Sequence, residues 1–304
     1  MRNKHILDMA SLSVAEIRQI LDTAVRMKEI SRRTIKKVPT LRGKTVVHFF
    51  YEPSTRTKSS FDVAAKRLSA DSLSFSKATS SVVKGETLLD TIQTIEAMQP
   101  DIIVIRHPSA GAPHLLAKTC QARVINAGDG MHAHPTQALL DMMTVREKKG
   151  RLQDLTLLIV GDIAHSRVAR SNIVGFRKMG ARVLLAGPPT MMPMGIEAQG
   201  ATVFHRLEEA IAEADVIMML RIQKERQKRF LMPNEREYAN VYGLNPARLK
   251  KAKPDVLIMH PGPMNRGVEI APEVADGPYS VILDQVANGV AVRMALLYLV
   301  LGGK

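Results

Sequence analysis

The chain has little cysteine and few aromatic residues, and each shortage excludes a class of protein. Cys120 is the only cysteine among 304 residues, so no disulfide forms within the chain, as is usual in a reducing compartment. Tryptophan is absent, and aromatic residues make up 4% of the chain, too few to alternate with arginine as a base-stacking surface. We therefore expect a cytoplasmic protein that does not bind nucleic acid by stacking.

Long apolar runs are also missing. Residues 1–5 lack the apolar centre of a signal peptide, and the longest C-terminal apolar run, residues 294–301, is too short to span a bilayer. The sequence predicts no association with a membrane.

Acidic residues are outnumbered by basic ones, 29 to 43, which gives a formal net charge of +14. The basic residues are spread along the chain without a long Lys/Arg block, so we interpret them as a solvated surface that also attracts dianionic substrates. The charge alone leaves one alternative open, a basic nucleic-acid-binding protein.

Strand-like runs alternate with helical patterns through both halves of the chain, which predicts an α/β protein of two domains, each a parallel sheet flanked by helices. We expect the first domain at residues 1–147, together with a C-terminal helix at 285–304, and the second at 148–284. That last helix is apolar nearly all round and must be buried. Polar residues 231–242 are predicted to be a loop able to close on a substrate.

A strand is predicted to end, and a helix to begin, around Pro53. Residues 45–50 are β-branched and aromatic, and apolar residues spaced for a helix face begin at Phe61. A helix start presents unpaired N–H groups and the positive end of the helix dipole, which suits an anion. The hydroxyl and guanidinium groups at this point are those of Ser54, Thr55, Arg56 and Thr57. The alternative is an ordinary Ser/Thr helix cap beside a surface arginine.

Other candidate residues follow later strands. Arg106 ends an apolar strand, where side chains point into the ligand crevice of a parallel sheet, so it is a candidate second phosphate ligand. His132 and His134 suggest a metal pair, but no third ligand has suitable spacing and we predict no metal. Gly161 follows a strand without the further glycines of a dinucleotide-binding turn, so no cofactor is expected.

Three separated motifs resemble those of the transcarbamoylase family. They are Pro53-Ser54-Thr55-Arg56-Thr57, His134-Pro135-Thr136-Gln137 and His260-Pro261-Gly262-Pro263, and the resemblance runs from about Leu7 to the C-terminal helix. It implies a transferase that uses carbamoyl phosphate, with the last helix packed back on the first domain.

The resemblance also implies the roles of the site residues. The phosphate is held by Ser54, Thr55, Arg56, Thr57 and Arg106, with Ser80 and Lys84 supplied by a neighbouring subunit. The carbamoyl group is contacted by Arg56, Thr57, His134 and Gln137 and by the carbonyls of Gly262 and Pro263. The aspartate carboxylates are held by Lys84, Arg167, Arg221 and Gln223.

Two features favour the aspartate branch of the family over the ornithine branch. The sequence after Val83 is Lys-Gly-Glu-Thr, and no cysteine follows His260, where ornithine enzymes carry His-Cys-Leu-Pro. The alternatives are an ornithine-type acceptor and an inactive relative. The shared site implies a homotrimer, and the resemblance implies a role in pyrimidine biosynthesis. Whether a regulatory chain or a dihydroorotase associates with it is left open.

Overall fold

The computed structural model describes residues 1–76, 87–223, 231–232 and 234–303, and the chain divides into two compact units. Unit 1 comprises Met1–Met143 and Val286–Lys304, and unit 2 comprises Thr144–Gln285. Each unit contains a parallel sheet flanked by helices, so the predicted α/β class is confirmed.

Unit 1 is built around a four-stranded parallel sheet. Its strands are β1 (Thr45–Phe50), β2 (Asp71–Ser76), β3 (Ile102–His107) and β4 (Arg123–Asp129). Its first helices are α1 (Val14–Ile30), α2 (Thr55–Arg67), α3 (Leu88–Glu96), α4 (Ala112–Thr119) and α5 (Pro135–Lys149), which continues into unit 2. The strand order is β2-β1-β3-β4.

Local sequence explains the first elements of unit 1. Ser13 and Glu16 form a reciprocal capping box at the start of α1, because each side chain accepts a hydrogen bond from the backbone N–H of the other residue. Strand β1 is buried from Val46 to Phe50, as expected of a parallel strand covered on both faces. Phe61 lies on the buried face of α2 and is fully enclosed.

Unit 2 contains a five-stranded parallel sheet in the order β7-β6-β5-β8-β9. Its strands are β5 (Thr156–Val160), β6 (Arg182–Ala186), β7 (Thr202–Phe204), β8 (Val216–Met219) and β9 (Leu257–Met259). Its helices are α6 (Arg167–Lys178), α7 (Leu207–Ile211), α8 (Glu235–Tyr242), α9 (Pro246–Leu249) and α10 (Pro272–Ala275).

The predicted loop at 231–242 is wrong over most of its length, because α8 occupies Glu235–Tyr242. Asn234 caps this helix by accepting a hydrogen bond from the Glu237 N–H at 2.8 Å. Tyr238 and Tyr242, one turn apart, are buried in an apolar cluster that includes Met191. This tertiary packing outweighs the polar composition that favoured a loop.

The C-terminal helix α11 (Ile282–Val300) packs on α1 and α5 in unit 1, as predicted. Its buried Arg293 also lies against α2: the guanidinium stands 5.1 Å from the centre of the Phe61 ring and donates to Ser60 Oγ at 3.0 Å. The helix is long and apolar enough to cross a membrane by length and composition, although the run at 294–301 alone is not. Within the protein, 67% of this stretch is buried, as in the core helix of a soluble domain.

Each sheet has one point at which the chain reverses its direction of strand addition. In unit 1 the chain adds β2 on one side of β1 and then β3 on the other; in unit 2 β6 and β8 flank β5 in the same way. Ligands of parallel α/β sheets bind outside the carboxyl ends of the strands at such a point. The segments after β1 and β3, and those after β5 and β8, are therefore where each unit should bind a ligand.

Candidate active site

The first group of predicted site residues lies at the reversal point of unit 1. Strand β1 ends at Phe50, and α2 begins at Thr55 with Ser54 as its N-cap residue. Among the described residues, the Ser54 side chain accepts no capping hydrogen bond, unlike Ser13, Thr87 and Ser166 at other helix starts. The ordinary-cap interpretation therefore lacks its hydrogen bond, and the start of α2 is a place where backbone N–H groups and the helix dipole favour an anion.

Arg106 comes to this corner from the neighbouring strand. The register of β1 and β3 pairs Phe50 with Arg106, and the Tyr51 N–H donates to the Arg106 carbonyl at 2.9 Å. Arg106 Nε lies 3.1 Å from Glu52 Oε2, and the two side chains are only 16% and 21% exposed. Because Glu52 contacts Nε, it fixes the plane of the guanidinium beside the start of α2.

His134 and Gln137 lie at the start of α5, after the end of β4. Both side chains are buried, and Gln137 Nε2 donates to Asp141 Oδ1 at 2.9 Å. This contact orients the Gln137 amide so that its oxygen is the acceptor for a ligand. His134 Nδ1 lies 3.4 Å from Thr136 Oγ1; in the tautomer in which the hydroxyl donates, His134 Nε2 carries the proton and is a donor.

The second group lies at the reversal point of unit 2. Gly161 follows β5 with a φ of +131°, and a Cβ there would lie 3.0 Å from the Leu220 carbonyl oxygen, so this position requires glycine. Ser166 caps α6 by accepting from the Ala169 N–H at 3.1 Å. This cap places Arg167 in the first turn of the helix, where its side chain is 3% exposed.

Arg221 and Gln223 follow β8, the strand beside β5. Their side chains contact each other, with Arg221 Nη2 3.4 Å from Gln223 Oε1. The alternation of the chain puts both on one side, with the buried Ile222 between them. Two cationic groups, from α6 and from the end of β8, therefore stand on adjacent segments of one sheet.

The turn after β9 carries Gly262 and Pro263, which are joined by a cis peptide bond. His260 holds this turn: its Nδ1 accepts from the Gly262 N–H at 2.8 Å, and its Nε2 lies 3.2 Å from Glu269 Oε1. Both His260 and Glu269 are buried. The donor at Nε2 and the acceptor at Nδ1 fix the imidazole in one tautomer, which sets the direction of the turn's carbonyl groups.

Family models match both units. The carbamoyl-phosphate binding domain of aspartate/ornithine carbamoyltransferases matches residues 4–147, and the aspartate/ornithine binding domain matches residues 153–300.

The chain belongs to the aspartate/ornithine carbamoyltransferase family.

Individual members of this carbamoyltransferase family resemble the chain over nearly its whole length. The aspartate carbamoyltransferase catalytic subunit of Desulfosudis oleivorans is 72% identical over 301 residues, which is 99% of this chain and 97% of the relative. The crystal structure of aspartate transcarbamoylase from Trypanosoma cruzi with carbamoyl phosphate and aspartate has a TM-score of 0.88 at 30% identity, covering 97% of this chain and 95% of that one. Ornithine carbamoyltransferase from Pyrococcus furiosus has a TM-score of 0.86 at 32% identity, covering 99% and 97%. The resemblance predicted from the motifs is confirmed, and the fold is common to both branches of the carbamoyltransferase family.

Most of the predicted site residues fall at the reversal points of their own unit. Unit 1 brings together residues 54–57 and Arg106, with His134 and Gln137 following the next strand. Unit 2 brings together Arg221 and Gln223, near the segment of Arg167, with Gly262 and Pro263 following the next strand. Ser80 and Lys84 lie outside the described residues. The roles of all these residues in carbamoyl transfer stay predictions.

Four residues hold site groups in place through contacts that were not predicted from the sequence: Glu52, Asp141, His260 and Glu269. Asp141 follows Gln137 by four positions on a helix, and this spacing was a usable signal. Glu52 precedes Pro53 in a motif already recognised. His260 and Glu269 meet only through the folded turn, so no local spacing indicates their contact.

The prediction that the chain binds no metal ion stays a prediction. It rested on the absence of a third ligand near His132 and His134. In the structure, His132 is joined by Asp129 and by His114, which comes from α4, and one possible ligand atom from each lies within 4.8 Å of the other two. His134 is not part of this cluster.

Proposed function

We propose that this chain catalyses transfer of the carbamoyl group of carbamoyl phosphate to the α-amine of L-aspartate, giving N-carbamoyl-L-aspartate and phosphate. The observation that carries the proposal is the uncapped start of α2 beside Arg106, at the reversal point of a carbamoyltransferase sheet. In this family the reaction is the second step toward pyrimidines, and we assign the chain to that step.

Unit 1, with α11 packed on it, is the carbamoyl-phosphate-binding part in this proposal. The phosphate lies against the first N–H groups of α2 and the adjoining hydroxyls, with a guanidinium from each neighbouring segment. The residues are Ser54, Thr55, Arg56, Thr57 and Arg106. A helix start supplies directed donors as well as a positive potential, and an arginine adds two parallel hydrogen bonds to one phosphate face.

The carbamoyl group lies beside the phosphate. Arg56, Thr57 and His134 donate to its carbonyl oxygen, which gains negative charge when the amine attacks. Its NH₂ group donates to the Gln137 amide oxygen, whose direction Asp141 sets, and to the carbonyl oxygens of Gly262 and Pro263. These contacts fix the orientation of the carbonyl carbon toward the attacking amine.

Carbamoyl phosphate is an acyl phosphate and is already activated, so the protein need not form a covalent intermediate. The neutral α-amine attacks the carbonyl carbon, the bond from that carbon to the phosphate oxygen breaks, and the departing phosphate takes the proton of the amine. Positioning of the two reactants supplies about 7–11 kcal/mol of the barrier reduction. A well-placed donor at the carbonyl oxygen adds about 2.7–4 kcal/mol.

Unit 2 is the aspartate-binding part. Arg167 and Arg221 pair with the two carboxylates of aspartate, Gln223 orients Arg221, and Lys84 is added by a neighbouring subunit. Ornithine carries a cationic side chain that two arginines would repel, so the arginines favour a dicarboxylate acceptor.

The purified chain should form phosphate from carbamoyl phosphate in the presence of L-aspartate, and not of L-ornithine or its acylated forms. Faster turnover with ornithine would overturn the assignment of the acceptor.

We infer further that the active protein is a cytoplasmic homotrimer whose sites are shared between subunits through Ser80 and Lys84. Support comes from the family membership of the chain and from its single cysteine. Its substrates are small molecules, and its basic residues form a solvated surface that attracts these anions, so we infer no nucleic-acid partner.

Arg56→Ala tests the phosphate corner directly. Because the variant removes a donor to both the phosphate and the developing oxyanion, we expect kcat to fall about 10²–10³-fold with the fold unchanged by circular dichroism. Arg42→Ala removes an exposed arginine elsewhere in unit 1 and should retain normal turnover. Near-normal turnover of Arg56→Ala would show that the corner is wrongly assigned.

A further inference from the structure

A cluster of metal-ligating side chains lies in unit 1 outside the residues assigned to carbamoyl transfer. It contains His114 on α4, Asp129 at the end of β4 and His132 in the segment that follows. The two imidazole rings are edge to face, with their centres 5.6 Å apart. His114 is brought to the other two by the fold, because α4 packs on β3 and β4.

The His114 ring is held in the form that binds a metal ion. Its Nε2 lies 3.0 Å from Asp8 Oδ2, and an ionised carboxylate can only accept, so Nε2 carries the proton. The lone pair is therefore on Nδ1. A carboxylate that holds the far nitrogen of a ligating histidine is the usual supporting contact of protein metal sites.

The His114 Nδ1 atom is itself unexplained by the protein. It is buried and has no hydrogen-bond partner among the described residues. Burying an acceptor without a partner costs about 1–3 kcal/mol, so such atoms in a folded protein call for a ligand or a water. This observation is independent of the spacing of the cluster and points to the same place.

Asp129 and His132 are the other two members of the cluster. Asp129 is fully buried and accepts from the Gly111 N–H and from Asn126 Nδ2, each at 2.8 Å, so its carboxylate is rigidly placed. His132 Nδ1 lies 3.0 Å from Asp129 Oδ2, and the His132 side chain is 43% exposed. His132 is thus the member of the cluster that is able to turn.

We propose that His114 Nδ1, Asp129 Oδ2 and a His132 nitrogen bind one transition-metal ion, of which Zn²⁺ is the best match. Ligand atoms around tetrahedral zinc, with bonds of about 2.0–2.2 Å, lie roughly 3.3 Å apart, so atoms spread over 4.8 Å must close up when the ion binds. Turning the exposed His132 ring away from Asp129 allows its nitrogen to approach the ion, while Asp129 Oδ2, which still accepts from the Gly111 N–H, offers its remaining lone pair. The fourth position is open to water.

The donor set determines the class of ion. Two imidazole nitrogens and one carboxylate oxygen suit Zn²⁺, Co²⁺, Ni²⁺ or Cu²⁺, whereas Mg²⁺ and Ca²⁺ prefer oxygen ligands only. The ion would join α4 to the segment that runs from β4 to His134. It takes no part in the proposed transfer reaction, and its role is to stabilise this segment.

The test uses the full chain without a histidine tag, after treatment with a chelator. Co²⁺ is titrated while the visible absorption of the ion is followed, and Zn²⁺ is titrated by calorimetry. We expect one ion per chain and a rise in Tm with Zn²⁺, because a ligand that binds only the folded state stabilises it. Asp8→Asn, which weakens the support of His114, should lower the affinity about 10–100-fold.

Variants separate this site from surface binding. His132→Ala should abolish the binding of one ion per chain, as should His114→Ala, while His205→Ala, which removes an exposed histidine of unit 2, should bind as the unaltered chain does. If His114→Ala does not fold, the exposed His132→Ala and the Asp8→Asn variant decide the matter. The absence of saturable binding, or equal affinity in His132→Ala and the unaltered chain, would overturn the proposal.

Discussion

At the scale of single residues, carboxylates hold the groups that are proposed to touch the substrates. Glu52 contacts Arg106 through Nε, and Asp141 accepts from the Gln137 amide. A guanidinium or an amide has several orientations of similar energy in water, and a fixed acceptor selects one of them. The corner is therefore organised before a ligand arrives.

Arg106→Lys tests whether the shape of the guanidinium matters in addition to its charge. Lysine keeps the charge but loses the planar fork and the Nε contact with Glu52. A hydrogen bond to a charged group contributes about 1.5–3 kcal/mol, so we expect the KM for carbamoyl phosphate to rise about 10- to 100-fold in steady-state assays. Arg42→Lys is the matched control. An unchanged KM would mean that Arg106 does not contact the phosphate.

His48 makes the stability of unit 1 depend on pH. It lies in β1 with both ring nitrogens buried and without a hydrogen-bond partner among the described residues. Burial lowers its pKa from 6.5 to about 4, and the opposing effect of Asp62 is smaller. The unfolded chain therefore binds a proton at this residue between pH 6.5 and about 4 while the folded protein does not, so the free energy of unfolding falls as the pH is lowered through that range.

His48→Leu removes this proton uptake. We expect the unaltered chain to lose up to about 3 kcal/mol between pH 6.5 and 4 from this group, and the variant to lose less over the same range. Urea unfolding at several pH values measures the difference. His205→Leu, at an exposed position, should follow the unaltered chain. Equal losses in His48→Leu and the unaltered chain would contradict the low pKa.

At the scale of elements, the candidate site in unit 2 depends on how closely the residue after β5 approaches the residue after β8. Gly161 has a φ of +131°, and an added Cβ would lie 3.0 Å from the Leu220 carbonyl oxygen and 3.2 Å from the Tyr238 hydroxyl. Gly195 has a φ of +70° but open space around it. A substitution at Gly195 therefore tests backbone strain alone, whereas a substitution at Gly161 tests backbone strain together with close packing.

Gly161→Ala should displace the end of β8, which leads into Arg221 and Gln223. We expect the KM for aspartate to rise, together with a loss of stability greater than that of Gly195→Ala, which carries only the left-handed backbone cost of about 1–2 kcal/mol. Kinetics and urea unfolding of both variants check this. A similar loss in both, with normal KM values, would show that the approach of Leu220 is unimportant.

The repeating pattern of strands and helices was predictable because each element buries a face with its own period. Strand β1 was predicted with its observed bounds, and the start of a helix was predicted beside Ser54, where α2 begins. The short edge strand β7 was missed because three residues carry no readable period. Helix α8 was missed because its stability comes from Tyr238 and Tyr242 packing on residues distant in sequence.

The positions of the site residues followed from motifs, whereas their supporting contacts did not. Motifs fix which side chains follow a strand, and parallel sheets bring strand ends together. The pairing of Arg106 with Glu52 depends on the register of β1 and β3, and the metal cluster depends on the packing of α4. Neither the register of the two strands nor the packing of α4 can be deduced from a single sequence.

At the scale of the whole molecule, the net charge of +14 and the proposed substrates are complementary. Near neutral pH carbamoyl phosphate is dianionic, and aspartate carries two carboxylates and one ammonium group, so both are net anions whose local concentration a positive protein raises. Such long-range attraction is screened by salt within about 10 Å at 0.1 M. It therefore assists the encounter but does not place the substrates, which is the task of the contacts in each unit.

A shared site makes a quantitative prediction for mixed subunits. If Lys84 of one subunit completes the site that contains Arg56 of its neighbour, neither Arg56→Ala nor Lys84→Ala alone is active, but some sites of a mixed trimer contain both intact residues. Random exchange at equal amounts leaves about one quarter of the sites complete in a closed ring of identical subunits. Activity recovered after denaturation and joint refolding measures this fraction.

Mixing Arg56→Ala with Arg106→Ala is the control, because both residues lie in unit 1 of the same chain and no mixed trimer restores a complete corner. If exchange is verified by native electrophoresis and the Arg56→Ala and Lys84→Ala mixture stays inactive, each site is built from one chain alone.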